Sequence, residues 1–189
     1  MVTCVGRLAR EKNLELLLGA FEAIRRSVPC ARLVLVGAGP LQDELQTRAP
    51  DAVFAGQRRD DDLAAHYASA DLFLFPSMSE TFGNVTTEAL ASGLPVVAFD
   101  HAAAAQLIID GEQGVCVPFG DAQSFVKASV ALAVDATRRE RFSRAARARA
   151  LELDWDSIVH RFESVLAAAI RHTAAPGNLP TTEMAQRAA

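Results

Sequence analysis

Two carboxylates, Glu80 and Glu88, stand with seven residues between them in the run Glu80-Thr-Phe-Gly-Asn-Val-Thr-Thr-Glu88. They bracket Gly83, where an apolar stretch from Leu72 to Phe75 gives way to a helical pattern. Strand-to-helix junctions of this kind are where parallel α/β sheets bind ligands. With Asn84 as the helix cap, the backbone N–H groups of Val85, Thr86 and Thr87 have no intrahelical partner and offer an anion site suited to a diphosphate. The carboxylates accept hydrogen bonds from hydroxyls, as on a sugar or a ribose. Phosphate donors beside hydroxyl acceptors suit a nucleotide sugar. Each acid alone has a plainer reading. Glu88 falls in a first helical turn, where the dipole favours an acid, and Glu80 lies in a Ser-rich loop open to solvent.

Counter-charge for a diphosphate stands near the start of the chain, in Val5-Gly6-Arg7-Leu8-Ala9-Arg10-Glu11-Lys12-Asn13. Arg7 follows an apolar strand, and Lys12 precedes a helix that Asn13 caps. Arg forks onto phosphate oxygens and Lys supplies a compact charge. The plainer alternative is a solvated loop with Lys12 paired to Glu11 or Glu15. A third loop, Asp60 to Leu63, is placed to wall in a base, but its acids fit a helix N-terminus better.

These loops need a scaffold that brings them to one edge. Six short apolar runs read as strands: Val2–Gly6, Arg32–Gly37, Ala52–Ala55, Leu72–Phe75, Pro95–Ala98 and Gly114–Val117. Helical patterns fill the gaps at Leu14–Ser27, Leu41–Arg48, Asp61–Ser69, Val85–Ala91, Ala102–Ile109, Ala122–Ala133 and Arg138–Leu151. Strict alternation predicts one α/β open sheet of about six parallel strands with helices on both faces. Strands apolar throughout fit burial on both sides. A last helix, 155–171, carries Ile158, Val159, Phe162, Val165, Leu166 and Ile170 as one stripe, with Asp154 or Asp156 as its cap. Residues 172–189 lack a period and read as a mobile tail.

Bulk properties narrow the class. The chain has 189 residues, half of them apolar, and a net charge of −4. It is globular, and its net charge argues against a nucleic-acid module, which would carry a basic face. No apolar run approaches a membrane span, and Met1 leads straight into a strand without a signal-peptide pattern. Cys4, Cys30 and Cys116 are odd in number and widely spaced. They read as buried free thiols in a reducing, cytoplasmic compartment. The four histidines show no metal-ligand spacing.

Five motifs in order then carry a resemblance: Val-Gly-Arg7-Leu with Glu11-Lys12, Leu-Val-Gly37-Ala-Gly-Pro, Ala70-Asp71-Leu-Phe-Leu-Phe-Pro76-Ser, the Glu80–Glu88 pair, and Ala-Ser-Gly93-Leu-Pro95. Asp110-Gly111, Gly114 and Trp155 complete the series. Over residues 2–170 the chain resembles the C-terminal, nucleotide-sugar-binding domain of the group 1 retaining glycosyltransferases. The resemblance implies a Rossmann-like domain, 1–171, of the two-domain B-type fold, with helix 155–171 packing toward an N-terminal domain that supplies the acceptor site. It implies that Glu80 holds hydroxyls of the donor sugar and Glu88 the ribose diol. Phe82, Gly83, Asn84 and Val85 line the sugar and diphosphate with their backbone. Arg7 and Lys12 neutralise the leaving diphosphate, so that Glu80, Arg7 and Lys12 form the catalytic group without a metal or other cofactor. The expected donor is a GDP- or UDP-sugar, with GDP-mannose favoured over a UDP-hexose. The expected acceptor is a lipid or glycan, reached by a full-length protein peripheral to the inner membrane face.

The chain departs from that pattern at Asp100-His-Ala-Ala-Ala-Ala-Gln106, where many relatives carry a Gly-Gly pair and an acid. Two other readings compete. A non-catalytic sugar-nucleotide-binding module shares every donor-side residue. A dinucleotide-dependent oxidoreductase would use Gly37-Ala-Gly39, but its third Gly is missing and Pro40 intrudes.

Overall fold

The computed structural model describes residues 1–173, so the tail expected over 172–189 lies, past Thr173, outside the described residues. Two compact units are present, Met1–Leu151 and the segment from Glu152 onward.

The first unit is an open sheet of six parallel strands: β1 (Val2–Val5), β2 (Leu33–Val36), β3 (Val53–Gly56), β4 (Leu72–Phe75), β5 (Val96–Phe99) and β6 (Gly114–Val117). Their spatial order is β3-β2-β1-β4-β5-β6. The chain builds outward from β1 in one direction, then returns to pair β4 on its other side. That reversal opens a crevice at the carboxyl ends of β1 and β4, the usual ligand position in such sheets.

Helices α1 (Leu14–Ser27), α2 (Gln42–Arg48), α3 (Asp60–Ala68), α4 (Asn84–Ala91), α5 (Ala102–Leu107), α6 (Ala122–Val134) and α7 (Ala136–Leu151) connect and follow the strands. Strand period two sorts β4 cleanly. Leu72 and Leu74 join the core built with Leu17 and Phe21 of α1 and Phe125 and Leu132 of α6. Phe73 and Phe75 point the other way and stack on each other, ring centres 5.6 Å apart. Each such fully buried side chain contributes about 1.5–3 kcal/mol.

The carboxyl-edge loops are woven together. Leu8 N–H donates to Ala38 O at 3.0 Å, Leu41 N–H to Leu8 O at 3.0 Å, and Gly37 N–H to Gly56 O at 2.8 Å. A Cβ on Gly37 would stand 1.9 Å from Gly6 O, and one on Gly39 2.3 Å from Leu8 O. Both glycines are therefore accounted for by close backbone approach, which removes the observation behind a dinucleotide fingerprint.

The Ala-Ser-Gly93-Leu-Pro95 motif is a helix stop. Gly93 at φ 70° follows α4, and Leu94 N–H returns to Ala89 O at 2.9 Å. Helix α7 places guanidinium groups on the carboxyl ends of three others. Arg139 donates to Leu132 O of α6 at 2.9 Å, Arg147 to Ala91 O of α4, and Arg149 to Leu107 O of α5 at 3.4 Å.

The second unit holds α8 (Trp155–Thr173). Asp154 is its cap, accepting from Ser157 N–H at 2.8 Å and Ser157 Oγ at 2.7 Å, bonds that hold the Asp154 carboxyl below its ordinary pKa. Trp155 and the whole apolar stripe of α8 are exposed. Among the described residues, no helix is long and apolar enough to cross a membrane.

Candidate functional site

The first element of the site is the loop after β1. It carries Arg7, then a 3₁₀ turn Arg10–Lys12, then Asn13 in the left-handed region at φ 51°. Asn13 makes no side-chain cap bond to α1, contrary to expectation; it acts through its tolerance of this conformation. The loop after β4 lies against it. Met78 N–H donates to Glu11 O at 2.9 Å.

Across that seam Lys12 Nζ is ion-paired with Glu80 Oε1. Lys12 therefore pairs with neither Glu11 nor Glu15; Glu15 pairs with Arg48 at 2.9 Å. The Lys12 ammonium also sits 5.8 Å from the centre of the Phe75 ring, at cation–π distance. Ser77 is buried and its hydroxyl donates to the same Glu80 oxygen at 2.7 Å. Glu80 Oε2 receives no hydrogen bond among the described residues, so half of the carboxylate is free to accept hydroxyls.

Helix α4 starts one residue earlier than expected, which changes its cap. Gly83, at φ 97°, is the N-cap and Asn84 is the first helical residue. Thr86 N–H donates to Gly83 O at 2.9 Å and is not free for an anion. The amides of Asn84 and Val85 have no backbone acceptor among the described residues. The Thr86 and Thr87 hydroxyl oxygens are buried without a partner. Glu88 lies in the second turn of α4, not the first, which removes the helix-dipole explanation for an acid at this position.

Glu88 instead has a specific partner that the sequence reading missed. Tyr67 OH donates to Glu88 Oε2 at 2.8 Å. The Tyr67 ring is buried against Phe73, with centres 5.8 Å apart. Burial and then the Glu88 charge push the phenol pKa up, so it remains a donor at neutral pH. The available signal was that this is the single tyrosine of the chain, in the last turn of the helix leading into β4.

Arg7 is exposed. It lines an open cleft of about 390 Å³ over the edges of β1, β2 and β3, with Gly37, Gln57, Arg58 and Leu63. Asp60, Asp61 and Asp62 form the first turn of α3, while Leu63 reaches the cleft wall. Asp62 pairs with Arg58 at 3.0 Å, and Arg58 Nε donates to Ala55 O at 2.8 Å.

The departing segment shapes the other wall. Ala103 N–H donates to Phe82 O at 2.8 Å, tying α5 to the Glu80 loop. Ala102, at φ 49°, adopts a left-handed conformation that costs an alanine about 1 kcal/mol. The Asp110-Gly111 motif is a turn: Asp110 Oδ1 accepts from Cys116 N–H at 3.1 Å and Gly111 sits at φ 81°. Of the thiols expected to be buried, Cys4 is, Cys116 is half-buried and Cys30 is exposed on the loop after α1.

Known proteins are similar to this chain in sequence and fold. A family model described as glycosyl transferases group 1 matches residues 1–135. A GDP-mannose-dependent alpha-mannosyltransferase of Mycobacterium tuberculosis is 38% identical over 169 residues, covering 87% of this chain and 43% of that protein. Sulfoquinovosyl transferase SQD2 of Arabidopsis thaliana is 38% identical over 161 residues, covering 82% of this chain and 31% of that protein. The chain thus spans less than half the length of these curated relatives. Anabaena HepE, solved with UDP, superposes with a TM-score of 0.76 at 26% identity, over 88% of this chain and 48% of that one. The C-terminal domain of the Francisella tularensis group 1 protein LpcC shares the fold at a TM-score of 0.72 and 20% identity, over 80% of this chain and 85% of that one. This chain belongs to the group 1 glycosyl transferases, as a C-terminal domain of their Rossmann-like B-type fold.

Proposed function

We propose that the chain is the donor-binding domain of a retaining hexosyltransferase that uses a nucleotide-diphosphate sugar, GDP-mannose ahead of a UDP-hexose. The carrying observation is the Lys12–Glu80 pair across the β1/β4 crevice. An ammonium has three donors. Lys12 can keep Glu80 and still donate to a diphosphate, so one cation joins the acid that reads the sugar to the group that leaves. The free half of Glu80 accepts sugar hydroxyls. Arg7, the Asn84 and Val85 amides and the start of α4 add positive potential where charge develops as the diphosphate departs. These groups supply the countercharge, and the reading assigns no metal or cofactor. Phe82 and Gly83 line the sugar side, and Glu88 takes the ribose diol.

In the intact enzyme the acceptor hydroxyl, on a lipid or saccharide, attacks the anomeric carbon from the face that the diphosphate leaves. Its binding site belongs to an N-terminal domain, toward which the exposed stripe of α8 would pack. The full-length protein would work in the cytoplasm at the inner membrane face. The mannosyltransferase relatives support GDP-mannose, and the UDP-bound structural neighbours keep UDP in view.

Titration of the chain with GDP, UDP and their sugars tests this. Saturable binding, tighter for GDP-mannose, is expected. Absence of binding at concentrations on the order of millimolar overturns the donor-site reading. Joined to an N-terminal domain, the protein should transfer sugar, and Glu80→Ala or Lys12→Ala should lower kcat by about a hundredfold or more. Nucleotide binding without transfer would favour a non-catalytic module.

A further inference from the structure

The two acids of the pair are supported in different ways. Glu80 is held by a cation and a buried hydroxyl. Glu88, an exposed residue, is held from beneath by a neutral phenol on a neighbouring helix. The Tyr67 ring is 1% exposed and packs on Phe73, which stacks on Phe75, the ring beneath Lys12. One face of β4 therefore carries the supports of both acids.

An exposed glutamate samples several rotamers and loses that freedom when it grips a ligand. In Glu88 one hydrogen bond already restrains that freedom. Its Oε2 is occupied by Tyr67, its Oε1 receives no hydrogen bond among the described residues, and each carboxylate oxygen retains a lone pair for a vicinal diol. We propose that Tyr67 is a positioning residue for nucleotide binding, fixing Glu88 in the rotamer that receives the ribose diol of a nucleoside diphosphate. This rests on the donor-site reading of Glu88. A purely structural tie between α3 and α4 would affect stability alone. A positioning role must also affect how well the protein tells ribose from deoxyribose.

The test is calorimetric titration of wild type, Tyr67→Phe and Glu88→Ala with GDP and UDP and with their 2′-deoxy counterparts. Phe keeps the ring on Phe73, and a thermal melt of each variant confirms folding. Wild type should bind the ribose form more tightly. In Tyr67→Phe the ribose-to-deoxyribose affinity ratio should fall by about three- to tenfold through weaker ribonucleotide binding, with deoxyribonucleotide affinity unchanged. In Glu88→Ala it should fall at least as far. A wild-type ratio in Tyr67→Phe, with a lost ratio in Glu88→Ala, overturns the positioning role and leaves the Glu88 assignment standing. A wild-type ratio in Glu88→Ala overturns the ribose assignment and the proposal with it. Failure of the wild type to bind either nucleotide overturns the donor-site reading from which both descend.

Discussion

Lys12 Nζ and Glu80 Oε1 form an ion pair whose side chains are only 17% and 13% exposed. The two residues lie 68 positions apart and meet because β4 is laid beside β1. The pair closes the seam between the two loops that the proposed donor must engage, so it has a cost to break.

Removing one partner leaves the other charge poorly solvated. Lys12→Ala should destabilise the chain by about 2–3 kcal/mol, less than for a fully enclosed pair because both groups keep some water. Replacing both, as in Lys12→Met with Glu80→Leu, should restore most of that loss. Urea midpoints of the single and double variants check this; equal midpoints would show that the pair is not the source.

Three glycines should respond in opposite directions. Gly37→Ala puts a Cβ 1.9 Å from Gly6 O at a backbone φ of 138°, and should unfold the carboxyl edge or cost about 4 kcal/mol or more. Gly39→Ala, 2.3 Å from Leu8 O, should be nearly as damaging. Gly19, inside α1, has nothing within 4 Å of an added Cβ, so Gly19→Ala should stabilise by about 0.5–1 kcal/mol. Thermal melts separate the three.

The thiols should divide by environment. Burial pushes Cys4 up from an ordinary 9.0 to about 12, with Lys12 lowering and Glu80 raising it, and Cys116 also rises to about 12. Cys30 is exposed and should label first with a maleimide at neutral pH, while Cys4 should label only on unfolding. Mass mapping of the labelled peptides reads this out.

The same shifts set an alkaline limit. A thiol with a folded pKa above its unfolded value binds more protons in the native state across the interval between them. Stability is therefore complete below pH 9 and falls as pH rises through about 12. Tyr67, raised by burial and Glu88, adds to the fall in the alkaline range. Denaturation midpoints should be level from pH 8 to about pH 9 and drop from there to pH 12, and Cys4→Ala should flatten the slope.

Arg139 should matter more than Arg144 on the same helix. It donates to Leu132 O and Ala133 O at the carboxyl end of α6, where backbone acceptors lack helical partners. Arg139→Ala should cost about 1 kcal/mol, whereas Arg144→Ala, whose contact is an exposed pair with Glu140, should be close to neutral. Melting temperatures of the two variants decide it.

Much of this was legible in the residues. Apolar runs and helical periods located every strand and α-helix of the first unit to within about two residues, because burial on both faces makes the strands continuously apolar and burial of one face imposes a 3.6 period on helices. Where the reading slipped, a local rule met a stronger constraint. Asn84 has the chemistry of a cap, but Gly83 takes that position because the loop enters α4 at a positive φ that glycine accommodates without strain. Cys30 sits in an apolar context yet is exposed, because the turn after α1 carries it outward.

By itself the sequence determined the α/β alternation, the Glu80–Glu88 spacing, the cations after the first strand and the stop at Gly93, all of which depend on residues near one another. Only the tertiary structure decided that Lys12 pairs with Glu80, that Tyr67 lies under Glu88, and that Arg7 lines a cleft with Gly37 and Leu63. Those contacts join residues brought near each other by strand order, and strand order is set by how the whole chain buries both faces of the sheet, not by any local pattern.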